Sequence, residues 1–432
     1  MLESAGLAFG VLILLLTIGV PLPYCFAGGM LTMVTVGGAT MNGTMLWGIS
    51  QLASPVLLAI PLFVFAGTVM SSSGIAAALL RLVNEFVGRL KGGLGVVATV
   101  SCGIIGAISG SGLTGVAAVG PILMPEMEKR GYPRPYAAAL IANSSILGLL
   151  IPPSVTMIVF GWVTETSILA AFLATLGPGL LIALLLSLVN IKMSRSFSLI
   201  LDEPLPIRER TRSISRSTVK AVPAMLMPLM ILGGIYGGIM TPTEAAALSV
   251  IYAVPVGYFI YKGLTNRSLL EAGKEAGTSV GAIMIMILFS LILSQMFVMN
   301  NVPQALVDIV FSITENKTIL LLMICLLLFF LGMVVNDITA IILVAPLLMP
   351  LMQAIDVSPI QFAAIIGVNT AMGGITPPYA SILYLSARIG NVRFYDIIKP
   401  AMIMLVFAYV PVALLTTFWP GLSMAIPGFF GY

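Results

Sequence analysis

The chain has no histidine, three cysteines and a charged fraction of only 8%. Without histidine it lacks the side chain that most often shuttles protons near neutral pH and most often ligates zinc. Cys25, Cys102 and Cys325 stand far apart in apolar surroundings with no CxxC spacing, so they are expected to be small buried hydrophobes. A soluble globular domain carries about 25% charged residues. At 8% charged and 59% hydrophobic, with a mean hydropathy of +1.11, the 432-residue chain is an all-α polytopic membrane protein. The net charge of +4 is not gathered into a basic domain outside the membrane, so no nucleic-acid partner is expected.

Apolar segments recur from Gly6 to Leu16 with its flanks, Val219 to Leu232, Gly281 to Met299 and Ile319 to Val335. The first has Glu3 where a signal peptide would carry basic residues, and it reads as the first span. Two later segments break off at paired prolines, "GLLIPPSVTMIVFG" (Gly148 to Gly161) and "GGITPPYASILYLS" (Gly373 to Ser386). A single shift of 225 residues lays Pro152-Pro153 on Pro377-Pro378, Gly148 on Gly373, Ser145 on Thr370 and Thr114 on Thr339. The same shift matches "AAVGPILMPEM" to "ILVAPLLMPLM", Ala117 to Met127 on Ile342 to Met352. A duplicated unit is the simplest source of that register.

Basic residues orient the two copies. Between Lys192 and Lys220 stand seven Lys or Arg, so this linker is expected in the cytoplasm. Spans at about Ala221 to Gly237 and Pro242 to Tyr261 return the chain to the same side at Lys262, Arg267 and Lys274. Gly92 to Met127 and Lys317 to Met352 then read as hairpins with polar tips at "SGSGLTG" (Ser109 to Gly115) and "VVNDITA" (Val334 to Ala340). The first opens to the cytoplasm beside Arg81, Arg89 and Lys91, and the second opens outside. In this arrangement only Lys317 of the 20 basic residues lies outside, which requires the second repeat to be inverted.

The expected organisation is therefore a first repeat at 1–191, with spans, an arm helix, a hairpin near 92–127 and a broken helix near 135–165. A basic linker follows at 192–220, where "RERTRSISRS" (Arg208 to Ser217) also fits an amphipathic helix lying on anionic lipid. The second repeat occupies 221–432, with a hairpin near 317–352 and a broken helix near 360–388. Both termini fall outside.

Inverted repeats with interrupted helices point to secondary transport around a midplane site. Unpaired backbone groups cost several kcal/mol in lipid, so breaks are tolerated only against protein or a watery cavity. Each proline pair withholds amide donors and disfavours helix before it, leaving carbonyls available to a cation. Asn143, Ser144, Ser145 and Ser154 flank the first break, and Asn369, Thr370 and Thr376 the second. Ser109, Gly110, Ser111 and Thr114 in one tip and Asn336, Asp337 and Thr339 in the other add hydroxyls, amide oxygens and backbone. Small hydroxyl residues also serve ordinary helix packing in membranes. Asp337, the only acid in a tip, is either a coupling or cavity residue or the N-cap of the next helix. Helix N-termini at the midplane favour a negative group, so a small organic acid is the expected companion of Na⁺.

"GPILMPEMEKRGY", "LLIPPS", "TPTEAA" (Thr241 to Ala246), "GMVVNDITAIILVAPLLMP" and "GGITPPYASILY" together resemble the large membrane subunit of tripartite ATP-independent periplasmic (TRAP) transporters, over essentially the whole chain. The resemblance implies an elevator transporter of two inverted repeats. It implies a small four-helix membrane subunit, here as a separate chain, and a periplasmic substrate-binding protein, in the bacterial inner membrane. The cargo would be a C4-dicarboxylate, sialic acid or a sulfonate, carried on a Na⁺ gradient with two or more ions. Carried over by motif, one sodium region falls on Ser109, Ser111, Asn143, Ser145 and Pro152, and the other on Asn336, Thr339, Thr370 and Thr376. Gly110, Asp337, Asn369 and Tyr379 are the candidate substrate or coupling positions. Where the family commonly reads "TPPVG" this chain has Tyr379 and Ala380, and the tyrosine ring either meets a ligand or packs at an interface. The first tip is also richer in glycine than the usual pattern.

Other readings differ in what they require. A stand-alone sodium/dicarboxylate-type symporter would share the hairpins and need no partners. A channel would pass ions downhill only. An intramembrane enzyme would need a nucleophile with an acid/base partner, which a chain without histidine or a second carboxylate near Asp337 does not offer.

Overall fold

The computed structural model describes residues 2–88, 90–200, 206–378 and 380–432. Among these the regular structure is helical throughout. The chain opens with α1 (Leu2–Thr17), α2 (Leu22–Thr35), α3 (Met41–Leu52), α4 (Ala59–Ser73, led by a 3-10 turn at Pro55–Leu58) and α5 (Ile75–Val87). The first hairpin is α6 (Gly93–Ser109) and α7 (Gly112–Lys129), and the first broken helix is α8 (Arg134–Ser145), α9 (Leu147–Leu150) and α10 (Val155–Val163). Then come α11 (Ile168–Ser194), α12 (Ile207–Tyr236), α13 (Pro242–Pro255), α14 (Asn266–Met299) and α15 (Val302–Ile313). The second hairpin is α16 (Lys317–Val334) and α17 (Asp337–Ala354), followed by the second broken helix, α18 (Pro359–Gly373) and α19 (Ser381–Gly390). The chain closes with α20 (Phe394–Met404), α21 (Val410–Phe418) and α22 (Gly421–Phe429). Nine helical stretches among the described residues are long and apolar enough to cross a membrane.

Two sequence expectations change. The N-terminal segment is not one full span: α1 has 16 residues, short of the roughly 20 that a bilayer core needs. The chain turns at Gly19, whose φ of +88° suits only glycine, and α2 packs back on α1. The basic linker also differs from a separate surface helix. Its second half is the start of α12, which runs unbroken for 30 residues into the span. Ser213 on that stretch donates to a Glu85 carboxylate oxygen on α5 at 2.8 Å, which anchors the extension to the arm helix. Arg89 lies outside the described residues.

The "TPTEAA" motif explains itself at this level. Thr241 is the N-cap of α13 and its hydroxyl accepts from the Glu244 amide at 3.3 Å. The Glu244 carboxylate accepts in return from the Thr241 amide at 2.8 Å, and Pro242 occupies the first helical position. The motif starts a helix rather than forming part of the polar interior.

Helices α1–α5 and α12–α14 pack on one another, and the hairpins and broken helices pack with α11, α20 and α21; the two groups meet where α4 and α5 lie on α6 and α14 on α17. The two broken helices are antiparallel. The Arg134 guanidinium at the start of α8 donates to the Gly390 carbonyl at the end of α19. At the other extreme Phe160, late in α10, meets Phe362, early in α18, with ring centroids 5.8 Å apart. In between, Ser386 on α19 donates to the Ala138 carbonyl on α8 at 2.7 Å. Each break therefore sits mid-way along its helix, and the copies point in opposite directions.

A glycine pair fixes each hairpin to its broken helix. A Cβ placed on Gly148 would lie 2.4 Å from the Cα of Gly106, and one on Gly373 would lie 2.4 Å from the carbonyl carbon of Gly332. Any side chain at these positions would force backbone from backbone, so glycine is required for the approach.

Candidate functional site

Both hairpin tips reach one small cavity of about 100 Å³. Gly110, Ser111 and Gly112 of the first tip line it together with Asn336, Asp337 and Ile338 of the second. Leu149 and Val155 from the first break and Ser381 and Ile382 from the second helix close the same space, with Val64 of α4 and Ile283 of α14 as the opposing wall. Residues 225 positions apart are thus brought face to face, as the inversion requires.

The first tip turns at Gly110, which has a φ of +62° and is pressed against Pro153 and Val155 of the break. Ser109 ends α6 and is buried; its hydroxyl donates to the Gly106 carbonyl at 3.1 Å. Ser111 is the N-cap residue of α7, in extended backbone. In the second tip Asn336 is the cap of α17, its side-chain oxygen accepting from the Ile338 amide at 3.0 Å. Asp337 follows as the first helical residue and lines the cavity, so the cap and the cavity acid are two adjacent residues. Its position in the first turn suits a negative charge.

Ser145 and Thr370, equivalent under the shift, share one main contact, although Ser145 also reaches Cys102 Sγ at 3.5 Å. Each hydroxyl donates at 2.7 Å to the carbonyl four residues earlier, Ile141 and Ile366. With the proton committed, each oxygen turns only lone pairs outward. Asn143 and Asn369 do the same with their amide nitrogens, donating to Ala139 at 2.9 Å and to Ile365 at 2.8 Å. Thr376, inside the second break, donates to Met372 at 2.9 Å. Pro152-Pro153 and Pro377-Pro378 are both cis.

Two buried oxygens in these regions have no hydrogen-bond partner: Asn143 Oδ1 and Thr339 Oγ1. An unpaired buried oxygen costs about 1–3 kcal/mol, which a bound cation would offset. Such a donor set of hydroxyls, amide oxygens and carbonyls fits Na⁺. Among the described residues no group of three His, Cys, Asp or Glu is positioned to hold a metal.

Of the predicted residues, Gly110, Ser111, Asn336 and Asp337 line the shared cavity. Ser145 lies one layer behind, against Gly115 of α7. Thr370 lies against Gly332 of α16, equally set back. Asn369 points away from the tips, toward Cys325. Tyr379 lies outside the described residues. Sequence reasoning did not find Tyr409, which is fully buried and donates to the Asn143 carbonyl at the end of α8. Nothing local marks it, because 266 residues separate the partners. All three cysteines are buried and free, as expected.

The tip cavity continues into a vestibule of about 530 Å³ through Val64, Ser111, Leu113 and Ile283, which line both. Hydroxyls of Thr68, Ser71, Ser72, Thr114 and Ser279 and the carboxylates of Glu271 and Glu275 surround it. Glu271 is also paired with exposed Arg267 at 3.1 Å.

This arrangement of tips and breaks has relatives. The family model for the tripartite ATP-independent periplasmic transporter, DctM component, matches residues 9–422. The chain belongs to this family. It is 32% identical over 429 residues to the isethionate TRAP transporter permease protein DctMQ of Oleidesulfovibrio alaskensis, covering 99% of this chain and 67% of the relative. It is also 32% identical over 377 residues to the sialic acid TRAP transporter large permease protein SiaM of Vibrio cholerae, covering 87% of each. Among solved structures the YdaH transporter of Alcanivorax borkumensis superposes with a TM-score of 0.61 at 15% identity, over 88% of this chain and 87% of that one, a likeness of fold. The DctM-family chain is therefore a multi-pass membrane permease component of a TRAP transporter.

Proposed function

We propose that this permease imports a small organic acid together with two or more Na⁺ ions, by elevator-type movement of the hairpins and broken helices against α1–α5 and α12–α14. The carrying observation is the convergence of both tips on one cavity, backed in each repeat by a hydroxyl, Ser145 or Thr370, whose proton is already committed. Na⁺ ligated by these oxygens would draw each tip onto its break, and Gly110, Asp337 and the tip amides would face the solute. Relatives named for isethionate and sialic acid support an acidic cargo. A periplasmic binding protein would deliver it, and a small four-helix subunit, as a separate chain, would complete the complex in the bacterial inner membrane. The segment 192–220 would be cytoplasmic and both termini periplasmic, so the vestibule beside Arg267 would open inward.

The test is uptake of an organic acid by proteoliposomes holding the complete tripartite assembly. A Na⁺ gradient should drive accumulation, and Ser145→Ala or Thr370→Ala should raise the Na⁺ concentration for half-maximal uptake about tenfold, the effect of losing roughly 1.4 kcal/mol of ion affinity. Unchanged Na⁺ dependence in both variants would reject the assignment. Uptake without any Na⁺ requirement would reject the coupling itself.

A further inference from the structure

At the far end of α14 from the vestibule lies a separate cavity of about 330 Å³. Its polar wall is made by Trp47 and Gln51 of α3, Trp162 of α10, Glu165 of the following turn, and Ser294 and Gln295 of α14. Glu275, in the vestibule, and Gln295 are 20 residues apart on this one helix. At 1.5 Å per residue that is about 30 Å, the thickness of a bilayer core. The cavity therefore marks the opposite mouth of the same seam, where α3 and α14 face α10 and α17.

Its chemistry is unusual for this chain. Only three tryptophans occur in 432 residues, and two of them line this space from positions 115 residues apart. Both tryptophans are half-buried. Glu165 holds a left-handed backbone at φ +54° and makes no ion pair among the described residues. Among the described residues no lysine or arginine lines the cavity, the tip cavity or the vestibule. Glu165, Asp337 and the Glu271–Glu275 pair thus mark the seam at its mouth, centre and opposite mouth, and the basic side chain beside them, Arg267, is exposed and paired with Glu271.

We infer that the Trp47–Trp162–Glu165 cavity is an entry site for a solute bearing a cationic nitrogen, so that the transported acid is a zwitterion. An indole face attracts an ammonium or quaternary nitrogen within about 6 Å, by about 0.5–2 kcal/mol according to desolvation. A carboxylate beside it completes the charge, and the Gln51, Gln295 and Ser294 amides and hydroxyl can hydrogen-bond the solute's own carboxylate. Among the described residues a dianion would meet no lining lysine or arginine at the three stations, and the Arg267 charge beside the vestibule is already taken by Glu271. The inference rests on the transport reading above, because the cavity matters as an entry site only if the seam carries solute.

Indole emission of the purified full-length chain in nanodiscs, titrated with glycine betaine, tests it. A saturable change in emission is expected, with none from succinate at equal ionic strength. Glu165→Gln should move the titration about tenfold higher in concentration, and Trp419→Phe should leave the response intact. No response to betaine, an equal response to succinate, or an unaltered titration in Glu165→Gln overturns the inference. Na⁺-driven uptake by the whole assembly separates the two claims. If organic acids accumulate on Na⁺ while betaine leaves the emission unchanged, this site falls and the transport reading stands. If betaine binds as expected but no acid accumulates on Na⁺, the transport reading falls and the site stands as a cation-selective cavity.

Discussion

The hydroxyl of Thr339 is fully buried and meets no partner. For a purely structural residue that would be a defect, and replacing it with valine, which has the same shape, should leave stability unchanged or improve it. If the oxygen ligates Na⁺, the same change has a second effect. Ligand binding raises stability by RT ln(1 + [L]/Kd). We therefore expect Thr339→Val to melt like the parent without Na⁺ but to lose most of the Na⁺-induced rise in Tm, measured by thermal unfolding in NaCl against choline chloride. An equal rise in both proteins would remove Thr339 from the ion site. At this scale the sequence was only half legible. It singled out candidate hydroxyls and amides because they recur beside both proline pairs and both tips. It left cap and cavity acid undivided, and the structure assigns the cap to Asn336 and the cavity to Asp337.

Hairpin and broken helix meet through Gly106 against Gly148, and through Gly332 against Gly373. A methyl at Gly148 or Gly373 has backbone as its nearest neighbour, which cannot rotate aside. Gly148→Ala and Gly373→Ala should each cost about 1–3 kcal/mol, the usual penalty of overpacking, and lower Tm accordingly. Gly281→Ala on α14 is the control, since nothing lies within 4 Å of its added Cβ. A loss of stability at Gly281 equal to that at Gly148 would contradict the close approach. The breaks themselves were readable because proline and glycine constrain the chain locally. Their partners were not. Gly106 and Gly332 carry no local signature, and only the folded hairpin shows what each one touches. The short α1 was misread for a related reason: apolar length alone does not show where a chain turns at Gly19.

The antiparallel broken helices give the molecule two faces, and its cysteines make them testable. Cys25, Cys102 and Cys325 are buried, so an impermeant maleimide should find little native background. Ser279→Cys, in the vestibule, should label only from the cytoplasmic side of oriented vesicles. Gln51→Cys, in the tryptophan cavity, should label only from the other side. Labelling of both from one side would overturn the topology. The duplication behind the inversion was visible in the sequence through one constant offset. The seam was not, because Val64, Ile283 and Trp47 are distant in the chain from the tips and breaks they face.

The glycine contacts have one further consequence. A joint of backbone on backbone contains no rotamers, so it stores no alternative packings and offers nothing for a solute or an ion to rearrange. If hairpins and broken helices move as one body, as proposed, both joints would travel with them, and the entropy and friction of the journey would belong to the side chains along the outer wall.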